Sequence, residues 1–401
     1  MIKMTVLSHI LGIYISMTYQ YAYASYPSSA FKQIDLEIYN DPTPKEVVYI
    51  DERKRPRSYS QDAFGNCYAV STAYVLDATN CRTQGDKDCR KLGDQFSFSR
   101  FDIARFGNSL ASRPEYRDFY PGISEGGSPK AILHNIVKMR GNVASQKCSA
   151  IEKILTNFSD KESMQKAQAR KWLKLKNAYE TFQDQKKKCE SCALNFASTA
   201  MEDISKDFNI QKDNAEVLKL FGEKTYDIFL DKLFVPEECS GPKNSVRLED
   251  ADKLEIGAFP PDTLKNSNFD DSINAIKNAL SKSYPVLVSN VCLGENFNIE
   301  ATQKQALALK KQAIEGRSAS MRSGEKNQGF CPDAHSVVIS GYRKICKKHA
   351  TPEDCRHSLK IENSWGEEWQ KSNNDGWVDA QIFMDRTAYL GQNLLWIEDK
   401  Q

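Results

Sequence analysis

Eleven cysteines narrow what this chain can become more than any other feature, because an odd number in an oxidising compartment leaves at least one thiol without a disulfide partner. The compartment is readable from the first residues. Lys3 precedes an apolar run from Met4 to about Met17, which breaks off before Ala22-Tyr23-Ala24. A short apolar run that ends in a small-x-small triplet reads as a signal peptide cleaved after Ala24, and it is too short to span a bilayer. The expectation is a secreted or periplasmic protein in which disulfides persist. No later stretch approaches the roughly 20 apolar residues of a membrane helix, so no stable membrane insertion is expected.

Hydrophobic residues make up 40% of the 401 and charged residues 27%, enough apolar material for an ordinary core. The 55 basic and 53 acidic residues leave a net charge of +2, which argues against a nucleic-acid partner.

Residues 25–57 are polar, with Pro27, Pro42, Pro44 and Pro56 and the basic run Arg53-Lys54-Arg55-Pro56-Arg57, and read as a short extended leader. Beyond it, Ala69, Val70, Ala73, Tyr74 and Leu76 recur at helical spacing after Cys67. The character changes between Cys148 and Cys239. Lys161 to Glu190 holds nine basic and four acidic residues, while Trp172, Leu175, Tyr179 and Phe182 mark one helical stripe. A second helical stretch, Ala215 to Leu233, is expected to pack with the first as an insertion over residues 141–262. Core packing and a solvated basic face account for this composition, and the exposed remainder leaves room for a protein partner.

Strand patterns dominate after Pro260-Pro261: Pro285 to Ser289 and Ser336 to Tyr342 read as buried strands, and Leu359 to Asn363 alternates as a half-buried strand should. A helical Lys/Gln/Ala-rich stretch from Thr302 to Ile314 and a Ser/Gly loop form a second insertion, residues 294–330.

Cys67 follows a Gly65-Asn66 turn at the first position of a helix, with Asn66 suited to the N-cap. The helix N-terminus carries partial positive charge, which favours thiolate over thiol and prepares a nucleophile; a buried structural cysteine is the alternative on this motif alone. A nucleophilic thiolate needs a base, and the base needs a group that orients its ring. His134 lies in a helical pattern, and His349 and His357 flank the Cys346 to Cys355 loop among charged residues, which suggests solvent-exposed positions. His335 opens a buried strand, and a hairpin can bring Asn363, at the end of the next strand, beside it.

Gln61 six positions before Cys67, the Gly126-Gly127-Ser128-Pro129 element, His335 at a strand start and Asn363-Ser364-Trp365-Gly366 resemble, in this order, the papain-like cysteine peptidases. The spacing from Cys67 to His335 exceeds the roughly 130 to 150 residues of that family, and the two insertions absorb the excess. The resemblance implies an α+β, papain-like two-lobed fold over residues 58–401, with a helical left domain that carries the insertion and a β-barrel-like right domain from about residue 263. It implies Cys67 as nucleophile, His335 as general acid/base, Asn363 as orienting group, and Gln61 with the Cys67 amide as oxyanion hole. Gly126 and Gly127 would bind an extended substrate strand, Pro129 would wall a substrate pocket, and Trp365 would line the leaving-group side. Protein or peptide substrates follow, and a bell-shaped pH profile governed by a Cys67–His335 ion pair is expected. The family's usual bridge is missing as a unit: Phe64 and Ser124 stand where its two cysteines are found. The leader also lacks the family's long helical pro-segment.

With Cys67 set aside, ten cysteines remain for disulfides. Cys81 with Cys89, and Cys346 with Cys355, would close small loops; Cys292 with Cys331 would staple the second insertion; Cys148, Cys189, Cys192 and Cys239 would bracket the first. Cys189-Glu190-Ser191-Cys192 also matches a redox or half-zinc spacing, but with no second such pair and no histidine close by, a structural role is expected, and neither metal nor cofactor. Two other functions share the motif set: an inactive papain-fold binding or assembly module, and a Cys-His acyltransferase acting as a transamidase.

Overall fold

Apolar runs in the second half of the chain pair into one antiparallel sheet. The computed structural model describes residues 29–61, 64–83, 88–107, 122–139, 141–150, 161–210, 212–261, 267–294, 334–349, 354–387 and 393–400. The expected signal peptide, Cys331 and nearly all of the second insertion lie outside these residues. The described strands are β1 (Glu46–Tyr49), β2 (Val143–Ala144), β3 (Ser245–Val246), β4 (Leu254–Phe259), β5 (Val286–Cys292), β6 (Ala334–Cys346), β7 (Cys355–Glu362), β8 (Trp377–Asp379) and β9 (Leu394–Asp399). The helices are α1 (Cys67–Thr83), α2 (Pro129–Leu133), α3 (Lys161–Lys186), α4 (Glu190–Phe208), α5 (Asn214–Leu220), α6 (Tyr226–Phe234), α7 (Phe269–Ser281), α8 (Glu367–Ser372) and α9 (Ala380–Asp385).

The sheet order is β4-β9-β5-β6-β7-β8, with β1 added on β6 and β2 pairing β3 separately. Among the described strands the two ends, β4 and β8, are not paired with each other. Strand β6 changes partner along its length: His335 to Ile339 pair with β5, whereas Gly341 to Lys344 pair with β1. A register shift between Ile339 and Gly341 on the β7 side marks the change. Helix α7 covers the sheet with Ile273, Ile276 and Leu280, packed on Val286, Val288, Val337, Ile339, Leu359 and Ile361. The Asn268 side chain caps α7 by accepting from Asp271 N at 2.8 Å.

The described residues form two compact units. The smaller comprises Phe64, residues 161–210 and 212–226; the larger holds the other described residues, the whole sheet and every expected site residue included. In the smaller unit the expected stripe Trp172, Leu175, Tyr179 and Phe182 is buried along α3. Its partner α4 is absent from the sequence reading, although Ala193, Ala197, Met201, Ile204 and Phe208 are buried at helical spacing. Small alanines dilute the apolar signal there. The second helical stretch expected from the sequence splits into α5 and α6, and from Asp227 onward it belongs to the larger unit.

In the larger unit α1 is buried from Tyr68 to Cys81 and packs against β5 and β6, and its polar members are satisfied inside, Asp77 by Arg100 and Thr72 by Tyr68 O at 2.6 Å. Residues 29–57 are not simply an extended leader. Strand β1 joins the sheet, Phe31 and Ile50 enter the core, and Lys32 O accepts from Asp379 N at 2.8 Å. The alternation Val47, Tyr49 out and Val48 in was concealed by the prolines and basic residues around it.

Disulfides join Cys81 to Cys89, Cys148 to Cys239, Cys189 to Cys192 and Cys346 to Cys355. Cys292 is also disulfide-bonded, and Cys67 is a free cysteine. The four described bridges fit an oxidising compartment, and no described helix is long and apolar enough to cross a membrane.

Candidate active site

Helix α1 delivers Cys67 to the start of strand β6, where the backbone of Ser336 and the first amides of α1 favour its charged form. Asn66 holds the N-cap position with its backbone, its carbonyl accepting from Ala69 N at 2.9 Å and Val70 N at 3.1 Å. Its side chain does not cap the helix as expected. Nδ2 donates to Arg100 O at 3.2 Å, and Oδ1 is buried without a hydrogen-bond partner. The first amides of α1 are thus not capped by the Asn66 side chain.

His335 is buried on β6 opposite Val291 of β5. Its Nε2 lies 2.8 Å from Oδ1 of Asn363, which follows β7 directly. With the amide oxygen facing the ring, Nε2 carries the proton and Nδ1 is the basic nitrogen. Trp365 stacks on the imidazole, ring centroids 4.9 Å apart at 27°, and Phe31 meets the Trp365 ring edge-on at 5.5 Å. Trp369 closes the aromatic group, 5.2 Å from Phe31. Phe31 was not singled out from the sequence; it lies in the polar stretch and only its aromatic side chain sets it apart.

Gln61 is tied to Ser364 twice: its N–H donates to Ser364 O at 2.7 Å, and its Oε1 accepts from Ser364 Oγ. These bonds orient the amide with Nε2 as its opposite, donor end. Gly126 has φ +77°, and its N–H donates to Gly65 O at 2.8 Å. A Cβ on Gly127 would come within 2.4 Å of the Tyr68 ring, so glycine is required there. Tyr68 Oη reaches Ala104 O at 3.1 Å and Ser124 O at 2.9 Å, which ties the glycine segment to α1. Pro129 is the buried first residue of α2, behind a Ser128 cap that accepts from Ala131 N at 3.2 Å.

Burial governs the electrostatics. It pushes the Cys67 thiol up to about 11, against the pull of the three backbone amides, and pushes His335 down to about 4, against its bond to Asn363. Desolvation is the larger effect at both groups and opposes the thiolate that the helix N-terminus favours, although Cys67 keeps part of its surface exposed. His357, expected in solvent, is half-buried, bonded through Nδ1 to Tyr342 Oη at 2.8 Å.

Behind Asn363, Glu362 accepts from Ser340 Oγ at 2.6 Å and from Arg55 Nη1 at 3.0 Å. A cavity of about 10 Å³ lies beside them, lined by Ser71, Tyr74, Arg100 and Asn363 among others. Tyr74 Oη, Arg100 Nε and Asn363 Nδ2 are buried with no protein partner. Among the described residues no three His, Cys, Asp or Glu side chains cluster in a way that could hold a metal ion.

No family model matches the chain, and no curated protein matches it. Among solved structures, the crystal structure of xylellain, a cysteine protease from Xylella fastidiosa, is similar at 11% identity and a TM-score of 0.34, covering 93% of this chain and 97% of that one. The roles of individual residues therefore rest on the geometry of this chain.

Proposed function

We propose that this protein is an exported cysteine endopeptidase of papain-like architecture that hydrolyses peptide bonds in protein or peptide substrates. One observation carries the reading: the 2.8 Å contact of His335 with Asn363, on a strand whose next residue, Ser336, lies close enough to Cys67 for its backbone to favour the thiolate.

The thiolate forms as the proton passes from Cys67 Sγ to His335 Nδ1. Sγ bonds to the scissile carbonyl carbon, and the carbonyl electrons move to oxygen. The Gln61 side-chain amide and the Cys67 backbone N–H donate to that oxyanion. Collapse breaks the C–N bond, and His335 returns the proton to the leaving amine. Water then attacks the thioester, giving its proton to His335, and the carboxylic product leaves as Sγ regains the proton. Asn363 holds the ring for both transfers, and Trp365 covers their hydrogen bond. Gly126, Gly127 and Pro129 line the path of an extended substrate.

Cys67→Ala is expected to abolish hydrolysis of unfolded protein substrates and labelling by a thiol-reactive epoxide; persistence of either sinks the assignment. The desolvation that opposes a Cys67 thiolate favours a second reading, an inactive binding module of the same fold. A wild-type chain that neither cleaves nor labels would select it.

A further inference from the structure

Cys189 and Cys192 form a disulfide in the smaller unit, remote in sequence from Cys67 and with no part in the proposed hydrolysis. It differs from the other described bridges in its surroundings. Those each bury at least one cysteine: Cys81 and Cys89 in the first, Cys239 in the second, Cys346 in the third. Here Cys192 is exposed and Cys189 only half-buried.

Three features converge on the Cys189 sulfur. Cys189 is the N-cap of α4, and its Sγ accepts the Cys192 N–H at 3.2 Å, so the sulfur occupies the positive end of a 19-residue helix. The Ser191 hydroxyl lies 3.4 Å from the same sulfur. Lys186, Lys187 and Lys188 precede it directly and are all exposed; Lys187 pairs with Asp184 at 3.2 Å. Glu190 is the one adjacent opposing charge and points to solvent. Amides, hydroxyl and lysines all favour a thiolate at Cys189, and a sulfur that is stable as a thiolate is a good leaving group.

We propose that Cys189–Cys192 is a thiol–disulfide exchange site, opened by an external dithiol at Cys192. The incoming thiolate bonds to the exposed Cys192 Sγ, the Cys189–Cys192 S–S bond breaks, and its electron pair stays on Cys189. The second thiolate of the dithiol then attacks the sulfur of its own molecule in the mixed disulfide. A cyclic or internal disulfide leaves, and Cys192 departs as a thiolate that solvent protonates. Two electrons pass from the dithiol to the protein. Run backwards, the same steps let the reduced pair reduce an exposed disulfide of a partner.

Full-length protein equilibrated in graded mixtures of reduced and oxidised dithiothreitol, acid-quenched, alkylated and mapped by mass spectrometry tests the site. Cys189 and Cys192 are expected to open at a dithiol-to-disulfide ratio about 100-fold lower than the buried bridges require. Opening together with those bridges, or after them, overturns the proposal. In the selectively reduced protein, Cys189 is expected to react with iodoacetamide about tenfold faster than Cys192 at pH 6.5, and Lys188→Gln to slow Cys189 alone. Equal rates, or no effect of the substitution, count against it. Neither readout depends on peptidase activity.

Discussion

Arg55 and Glu362 form an ion pair buried on both sides, Nη1 to Oε1 3.0 Å, immediately before Asn363 in the chain. Arg55 comes from the basic run that reads, in sequence, as part of a leader. Removing one partner strands the other charge in the core. Arg55→Met is expected to destabilise the protein by about 3 to 5 kcal/mol in urea unfolding, and deletion of residues 25–57 to yield an unfolded chain rather than an activated enzyme. A soluble, active truncation would show that the pair and β1 are dispensable.

The pH dependence follows from Cys67 and His335. His335 can take the Cys67 proton only while its ring is uncharged, so the acid limb of hydrolysis is expected near pH 4 and not near the ordinary 6.5 of histidine, with the alkaline limb near 11. Rates of a fluorogenic peptide across that range decide it; an alkaline limb below about pH 9 would mean an ion pair at rest, because that limb would then report loss of the imidazolium proton.

Stability carries the same signature. The folded His335 binds its proton near pH 4 and the unfolded one near 6.5, so the unfolded chain takes up the proton first. Stability is full above pH 6.5 and is lost as the pH falls toward 4, by at most about 3 kcal/mol. His335→Phe should flatten that slope in denaturant titrations.

Asp231 acts in the opposite sense. Its Oδ1 is buried without a partner, and burial with the nearby Asp102 charge raises it to about 6 despite Arg105. The folded state therefore holds this proton more tightly than the unfolded one, and stability falls as pH rises from about 4 through 6. Asp231→Asn is expected to raise stability by about 1 to 2 kcal/mol at pH 7.5 and to leave it unchanged at pH 3.5. A gain at both pH values would point to packing instead of charge.

Gly127→Ala puts a methyl group 2.4 Å from the Tyr68 ring. It is expected to cost about 1 to 3 kcal/mol of stability and to raise KM more than it lowers kcat, because the displaced segment is the one proposed to carry substrate. Equal loss in kcat would place the damage at Cys67.

Much of the site was legible because its parts announce themselves locally. Cys67 stands at a turn before a periodic helix, His335 at the start of an apolar run, and Asn363 at the end of an alternating one; antiparallel pairing of β6 with β7 does the rest. What escaped the sequence depends on contacts hundreds of positions apart. Phe31, β1 and Arg55 gain their places from distant partners that include Trp365, Phe383, β6 and Glu362 of β7, and polar neighbours hide them. The charge state escaped for another reason. A helix N-terminus is visible in sequence, whereas the desolvation that opposes it at Cys67 depends on packing.

The pairing of β1 with the later half of β6 sets an order in time. A chain made from its N-terminus exposes Glu46 to Tyr49 and Phe31 first, but Gly341 to Lys344, Trp365 and Trp369 emerge only much later. Such contacts close the longest loops and form late. The proposed site therefore gains its aromatic cover only after Trp365 and Trp369 have been made, so a nascent chain that stops short of them carries Cys67 without the surroundings that complete it.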